Sequence, residues 1–454
     1  MHVAHFIQRY PPALGGSEAY FARLADYHLA CGDEVSVWTT TALDLESFWR
    51  SDRQEASPGR ILSRPLDLRR YSLCRFPGRR YILKSFSLVP VRRWQCLTMP
   101  CNPHSPGMWR DVGRYTGPLD AVHATAFPYA FPILCALRLA RQRGVPFLLT
   151  PFLHLGNPDN PSDQTRKQYT APPLRWLLRQ ADRVFVQTRL EWDAVVGLGV
   201  PTRRVVLQGL GVDSTDCTGG DRRIARKGWS VGPEEVVVGH LANQSAEKGS
   251  IDLLKAAKRV WAEGHRFRLV LAGPEMTNFR TFWDGFTPKE RVTRLGVLTD
   301  AQKRDFYAGI DAFALPSRSD SFGLVLLEAW ANGRPNLVYR AGGPAELVRD
   351  EVDGLQAHCG DVQELARNLR RLVTDGTLRH RLGQAGQERV ERDFRWGEKL
   401  ELVREVIREV REGVEHSAGQ EHKSVSRVSA GSFLPLCERR AATEGGPYID
   451  CHPP

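Results

Sequence analysis

No stretch of about 18 consecutive apolar residues occurs in the chain, so no membrane-spanning helix is predicted. The opening MHVAHFIQRYPP is a short apolar run broken by Arg9 and Pro11, with no basic region leading into a long apolar one, so no secretory leader is expected. Cys-x-x-Cys is also missing. The nine cysteines are odd in number and scattered, and Cys96 and Cys101 lack companion ligands. That excludes a disulfide framework and a zinc site, and favours reduced thiols in a cytoplasmic protein. No Asp-x-Asp occurs. The nearest thing, Glu351-Val352-Asp353, runs into Gly354 and reads as a surface turn, so no bound metal is expected. Acidic residues are in the minority, 52 against 63 Lys and Arg, for a net charge of +11. This balance fits a polyanionic partner, such as nucleotide phosphates or anionic lipid headgroups, or simply an Arg-rich surface. Nucleic acid is not expected as a partner, because no recognised binding motif accompanies the charge.

The chain has the length for two or three domains, and its 42% hydrophobic content suffices for sizeable cores. The first forty residues read as a β-α-β unit. Val3 to Ile7 is a short strand and residues 10–16 form a loop. Ser17 stands as a helix cap with Glu18 at the positive helix end, and Phe21, Leu24, Ala25 and His28 share one helical face. Gly32 ends that helix, and 34–39 is the next strand. Residues 45–115, rich in Arg, Pro and aromatics, are expected to form short helices and loops. Strands resume at 119–123, 147–150 and 183–187. The polar, Gly-rich segment 213–233 reads as a connection. A second series follows, with strands at 235–239, 267–272, 312–315 and 336–339. Its helices follow Lys248-Gly249, start from a cap at Asp300, and span 324–331 up to Asn332-Gly333. Apolar strands of this kind belong in a parallel sheet covered on both faces. The fold class is therefore α/β, with two Rossmann-like doubly wound domains facing across a cleft. Beyond 361 the pattern is helical, and from 416 the apolar period is lost.

The segment SRSDSFGLVLLE, residues 317–328, carries the chemistry. Ligands of open α/β sheets bind outside the carboxyl ends of the strands. Asp320 falls in the loop at such an end. Glu328 falls about two turns into the following helix, roughly 10 Å away at 1.5 Å per residue. Two carboxylates so spaced can accept hydrogen bonds from hydroxyls at opposite ends of a nucleotide sugar, one from the hexose and one from the ribose. The free N–H groups of the first helical turn suit a diphosphate between them.

This segment resembles the Glu-x7-Glu motif of the retaining family 4 glycosyltransferases of the GT-B fold (glycosyl transferases group 1). Gly15-Gly16, Gly211-Val212-Asp213, Lys248-Gly249 and the AGGPAE loop from Ala341 to Glu346 match further motifs of that family in order. The resemblance covers roughly residues 1–412. It implies a first, acceptor-binding domain over 1–212, a linker over 213–233 and a nucleotide-sugar donor domain over 234–390. Helices over 391–414 would pack back on the first domain, before a disordered tail over 415–454. Lys248 would stand against a diphosphate leaving group. Gly15 and Gly16 would let backbone N–H groups approach phosphate, and Gly342 and Gly343 likewise. Asn243, Phe322, Gly323, Asp320 and Glu328 would complete the donor site. His123 and His154, each following a strand, would stand near the reacting sugar or the acceptor.

The reaction implied is sugar transfer from a UDP-, GDP- or similar donor to the hydroxyl of a glycan or lipid-linked acceptor. Retention by front-face displacement, no metal cofactor, and a place in cell-surface polysaccharide or glycolipid synthesis go with it. The sequence departs from the family at three points. Asp320 is one methylene shorter than Glu. Asn243 stands where an Arg is common, with Arg318, Lys303 or Lys248 left to compensate. Thr125 stands where a second His is frequent. These departures keep open a catalytically impaired sugar-nucleotide-binding partner, and a same-fold epimerase is a further alternative. The basic and aromatic stretch 66–94 suits either an anionic membrane surface or a solvated acceptor-domain surface.

Overall fold

The computed structural model describes residues 1–428, with 64 and 77 excepted. Met1–Arg411 forms one body, and the chain from Glu412 on is a separate unit. The first sheet contains β1 (His2–Phe6), β2 (Glu34–Thr40), β3 (Gly59–Ser63), β4 (Leu66–Tyr71), β5 (Ala121–Ala124), β6 (Phe147–Leu149), β7 (Arg183–Val186) and β8 (Val205–Leu207). Its order is β3-β4-β2-β1-β5-β6-β7-β8, parallel except for β3. The second sheet contains β9 (Val237–Leu241), β10 (Arg268–Ala272), β11 (Val292–Arg294), β12 (Ala312–Leu315), β13 (Asn336–Tyr339) and β14 (Gly354–Ala357). Its order is β11-β10-β9-β12-β13-β14, parallel throughout. Successive residues on the central strands β5, β6, β12 and β13 are all buried, as at Phe147, Leu148 and Leu149. Both sheet faces are therefore covered, and two doubly wound α/β domains result.

Several local expectations differ from what is observed. Within 45–115 the chain adds β3 and β4 to the sheet, β4 pairing parallel with β2. The buried Asp67 accounts for arginines being tolerated there, since Arg60 and Arg69 both donate to its carboxylate at 2.6–2.9 Å. The connecting segment 213–233 contains two short helices. Its helices Ser214–Cys217 and Arg222–Gly228 pack on the second domain, where Arg222 and Arg226 grip Asp311 at 2.6 Å each. The helix Asp300–Gly309 is capped by Thr299 and Gln302 in a reciprocal capping box, with Asp300 as its first residue. Ser17 lies inside the helix Gly16–Ala30, which Gly15 precedes, and its hydroxyl donates to Glu18. The last helix is Trp396–Val428, and residues 429–454 of the expected tail lie outside the described residues. No helix among the described residues is long and apolar enough to cross a membrane.

Up to residue 411, that last helix lies against the first domain. Leu400, Val403 and Ile407 are buried, the Tyr27 hydroxyl donates to Glu401 at 2.7 Å, and Arg404 donates to Asp33 at 2.8 Å. Asp33 also accepts from the Met1 ammonium and pairs with His28, each at 2.9 Å. Burial raises the Asp33 carboxyl's pKa, but the hydrogen bonds from His28, Arg404 and the amino terminus outweigh it and hold it far below the carboxylate range. A depressed folded pKa contributes stability above the unfolded value near 4 and loses it as pH falls. Removing one member of a buried charge network leaves the others uncompensated. Asp33→Ala should therefore cost about 3 kcal/mol at pH 7, read as a lowered urea midpoint, and the difference from wild type should shrink below about pH 4.

Candidate active site in the interdomain cleft

In each sheet the strand order reverses at one place, between β1 and β5 in the first and between β9 and β12 in the second. Crevices form at such switch points, outside the carboxyl ends of the strands. Here the two crevices face each other and enclose a cavity of about 390 Å³. The loops after β1, β5 and β6 supply Gln8 to Glu18, Tyr129 and His154, and those after β9 and β12 supply Asn243, Lys248 and the Asp320–Gly323 stretch.

Asp320 and Lys248 meet here, the Nζ donating to Oδ2 at 2.7 Å. Their partial exposure, 24% for Lys248 and 17% for Asp320, leaves both open to the cavity. Burial pushes the Asp320 carboxyl up, but Lys248, His154 and the Phe322 backbone outweigh it and hold it below its ordinary value. The cavity thus contains an ionised acid and an ammonium in contact. His154 comes from the opposite domain, its Nδ1 donating to the Ser319 carbonyl oxygen at 3.2 Å, which leaves Nε2 as the acceptor side of a neutral ring. Burial, and after it the nearby Lys248, push its pKa down to about 4.

Glycine backbone positions this pair. Gly249 has φ +78°, and a Cβ there would run into the Pro316 carbonyl at the end of β12. Lys248 is held by this close approach of the loops after β9 and β12. Gly342 and Gly343 press on the backbone of Asp320 and Ser321 in the same way, and the Gly343 N–H donates to the Asp320 carbonyl at 2.8 Å. They were expected beside the sugar and phosphates. The structure instead places them behind the Asp320 loop, as its support.

Gly15, Gly16, His154, Asn243, Lys248, Asp320, Phe322 and Gly323 all line the cavity. Besides Gly342 and Gly343, two predicted residues do not. His123 is fully buried, its Nε2 2.8 Å from the Thr150 hydroxyl and its ring against Phe21, Phe185 and His5. It belongs to β5 itself, in register with His5 of β1, and so faces the core rather than the cleft. Burial and the neighbouring His28 push it down to about 3. Glu328 lies about one turn beyond the cavity-lining Leu324 and Val325, where it accepts from Lys303 at 2.5 Å and Tyr307 at 2.8 Å. Lys303 is thereby engaged, Arg318 is paired with Asp252 at 2.5 Å, and neither of the two lines the cavity beside Asn243. Glu346 serves elsewhere too. Its two oxygens accept the backbone N–H groups of Arg189 and Leu190 at 2.7 and 2.8 Å, capping a first-domain helix from the second domain.

Sequence reasoning missed Arg9, Glu18 and Tyr129. Arg9 pairs with Glu18 at 2.7 Å in the cavity wall. Its signal was legible, since it is the first cation after β1. Tyr129 carried no such signal. Among the described residues, no group of three or more His, Cys, Asp or Glu side chains is arranged to hold a metal.

Comparison with known proteins agrees with this architecture. The model of the glycosyl transferase 4-like domain matches residues 15–211, and that of the glycosyl transferases group 1 matches 221–389. A D-inositol 3-phosphate glycosyltransferase of Mycobacterium sp. (strain KMS) is 34% identical over 216 residues, 45% of this chain and 49% of the relative. The lipopolysaccharide core biosynthesis glycosyltransferase LpsD of Rhizobium meliloti (strain 1021) is 33% identical over 171 residues, 38% of this chain and 49% of the relative. The chain thus spans about half the length of the curated relatives it matches. Among solved structures, the sucrose-phosphate synthase of Thermosynechococcus elongatus superposes with a TM-score of 0.67 at 20% identity, over 90% of this chain and 98% of the other. Anabaena HepE in complex with UDP-glucose gives 0.66 at 17% identity, over 90% of this chain and all of the other. With both halves matched by its domain models and two facing Rossmann-like domains around one cleft, the chain belongs to the family 4 glycosyltransferases of the GT-B fold.

Proposed function

We propose that this chain transfers a sugar from a nucleotide-diphosphate-sugar donor to an acceptor hydroxyl with retention of anomeric configuration. The observation that carries the reading is the Lys248–Asp320 pair, open to a cavity between two switch-point crevices and joined there by His154. Lys248 exchanges Asp320 for the diphosphate and stabilises the charge that grows on the leaving group. The free N–H groups at the start of the helix Leu324–Ala331 add to that stabilisation. Asp320 accepts from a hydroxyl of the donor sugar, while Glu328, held by Lys303 and Tyr307 outside the cavity, anchors the helix that carries those N–H groups. His154 offers Nε2 to a hydroxyl at the reacting face. Arg9 provides the second cation in the cavity wall, opposite the neutral Asn243. Front-face displacement, with the departing phosphate assisting the incoming hydroxyl, needs no carboxylate nucleophile, and no divalent metal enters the scheme. The named relative in lipopolysaccharide core biosynthesis supports a glycan or lipid-linked acceptor in cell-surface polysaccharide or glycolipid synthesis. The free cysteines among the described residues suit a cytoplasmic site of action.

One observation favours a second reading, a sugar-nucleotide-binding partner without turnover: Asn243 lacks a guanidinium, and Arg318 and Lys303 are engaged elsewhere. Thermal-shift titration with UDP, GDP and their sugars separates the two readings when run beside an assay of acceptor-dependent nucleotide release. Binding without turnover favours the second reading, and conversion of the donor to another nucleotide sugar without acceptor or net nucleotide release favours an epimerase.

Lys248→Ala should lower kcat/KM by roughly 10²–10³-fold, the usual cost of one donor to developing charge. NMR of the product should show the donor's anomeric configuration, and excess EDTA should leave the rate unchanged. An inverted product would exclude front-face displacement. Because the pKa of His154 is lowered to about 4, its neutral form persists through pH 5–8. The kcat/KM profile should therefore show no inflection near pH 6.5, the ordinary histidine value, that disappears in His154→Asn.

A further inference from the structure

The helices Arg79–Phe86 and Arg92–Thr98 form a hairpin on the first domain. Its inward side is ordinary core, with Leu83 and Cys96 buried. Its outward side is apolar and uncovered: Tyr81 is 81% and Leu88 79% exposed, and Ile82, Phe86, Val89, Val91 and Trp94 are exposed beside them. This apex is not loose. The Trp94 indole donates to the Phe86 carbonyl at 2.9 Å, Gln95 donates to the Ser87 carbonyl at 3.0 Å, and the Phe86 and Trp94 rings meet edge to face. Apolar side chains are thus held out in water by a fixed scaffold. Contiguous patches of this kind mark interaction sites.

Charge identifies the partner. From residue 68 to residue 110 the sequence contains no Asp or Glu and nine Arg and Lys. Lys84, Arg92 and Arg93 are exposed on the hairpin itself. Beside it, Arg93, Arg138 and Arg141 line a cavity of about 230 Å³ with Leu134, Leu137 and Trp176. A second copy of the chain would meet this face with like charge. A convex apolar tip ringed by cations, next to a hollow lined by arginines and apolar side chains, fits the interface of an anionic bilayer, whose headgroups neutralise the cations while the tip enters the acyl boundary.

The hairpin is also connected to the cleft. Arg79 at its base donates to the Phe48 carbonyl at 2.6 Å, and the Phe48 ring packs edge to face on Tyr129, which lines the cavity. We propose that the 79–98 hairpin docks the protein on an anionic membrane surface, bringing the first-domain side of the cleft to lipid-linked acceptors. This deepens the transferase reading by naming where its acceptor resides. Vesicle binding is read without turnover, so either proposal can fail alone.

The test is co-sedimentation of the full chain with phosphatidylcholine vesicles, with and without 30% phosphatidylglycerol. Binding should require the anionic lipid and weaken in high salt. Leu88→Glu, at an exposed position, should lower the partition coefficient at least tenfold with the melting temperature unchanged, and K84E/R92E should do the same. Equal binding to both vesicle types, or unchanged binding by both variants, would overturn the proposal. So would a concentration-dependent dimer that Leu88→Glu abolishes, since the face would then belong to a second copy.

Discussion

Three loops of the second domain meet backbone to backbone, and the arrangement of the candidate site depends on that contact. The turn at Lys248-Gly249 lies against the Pro316 carbonyl, and Gly342 and Gly343 lie against Asp320 and Ser321. Any side chain at these glycines would force the loops apart. Excluding one lets an ammonium and a carboxylate from segments 72 residues apart sit 2.7 Å from each other at the cavity wall. Loops with such close neighbours change shape little, which suits a site that must present fixed charge rather than rearrange to create it.

The link between the domains is built differently. Glu346 caps a first-domain helix by accepting two exposed N–H groups, and His154 donates to Ser319 across the cleft. Hydrogen bonds of this sort are worth about 1 kcal/mol each, because water can replace them when the cleft opens. The lasting connection is the last helix, whose apolar face is buried up to residue 411 and whose Arg404 engages the buried Asp33. Weak latches at the mouth and a firm anchor behind allow a cleft to open and close on a ligand without the domains separating.

The histidines show how far strand patterning carries. His123 and His154 both follow apolar strand residues, and in the sequence only Gly156 and Asn157, which mark a loop, set His154 apart. The difference is one of register. β5 extends to Ala124, so His123 is a strand residue turned to the core, whereas β6 ends at Leu149 and His154 lies well into the loop beyond it. Glu346 and Glu328 make the same point. Each is an acid in a recognisable motif, and each has its oxygens occupied by partners from elsewhere in the chain that no local pattern names.

The amino-acid sequence by itself determined the alternation of apolar strands and amphipathic helices, hence two doubly wound domains. It also determined the chemistry of the loops after β9 and β12, hence an amine and an acid near one another. Both are properties of period and residue type, which local physics reads directly. The tertiary structure alone decided which acids and cations face the cavity and which are paired away from it. It also decided that Arg9 and Glu18 join the wall, and that Gly342 and Gly343 support the Asp320 loop. Those outcomes depend on contacts between segments far apart in the chain, where a single residue of register or one buried partner redirects a side chain.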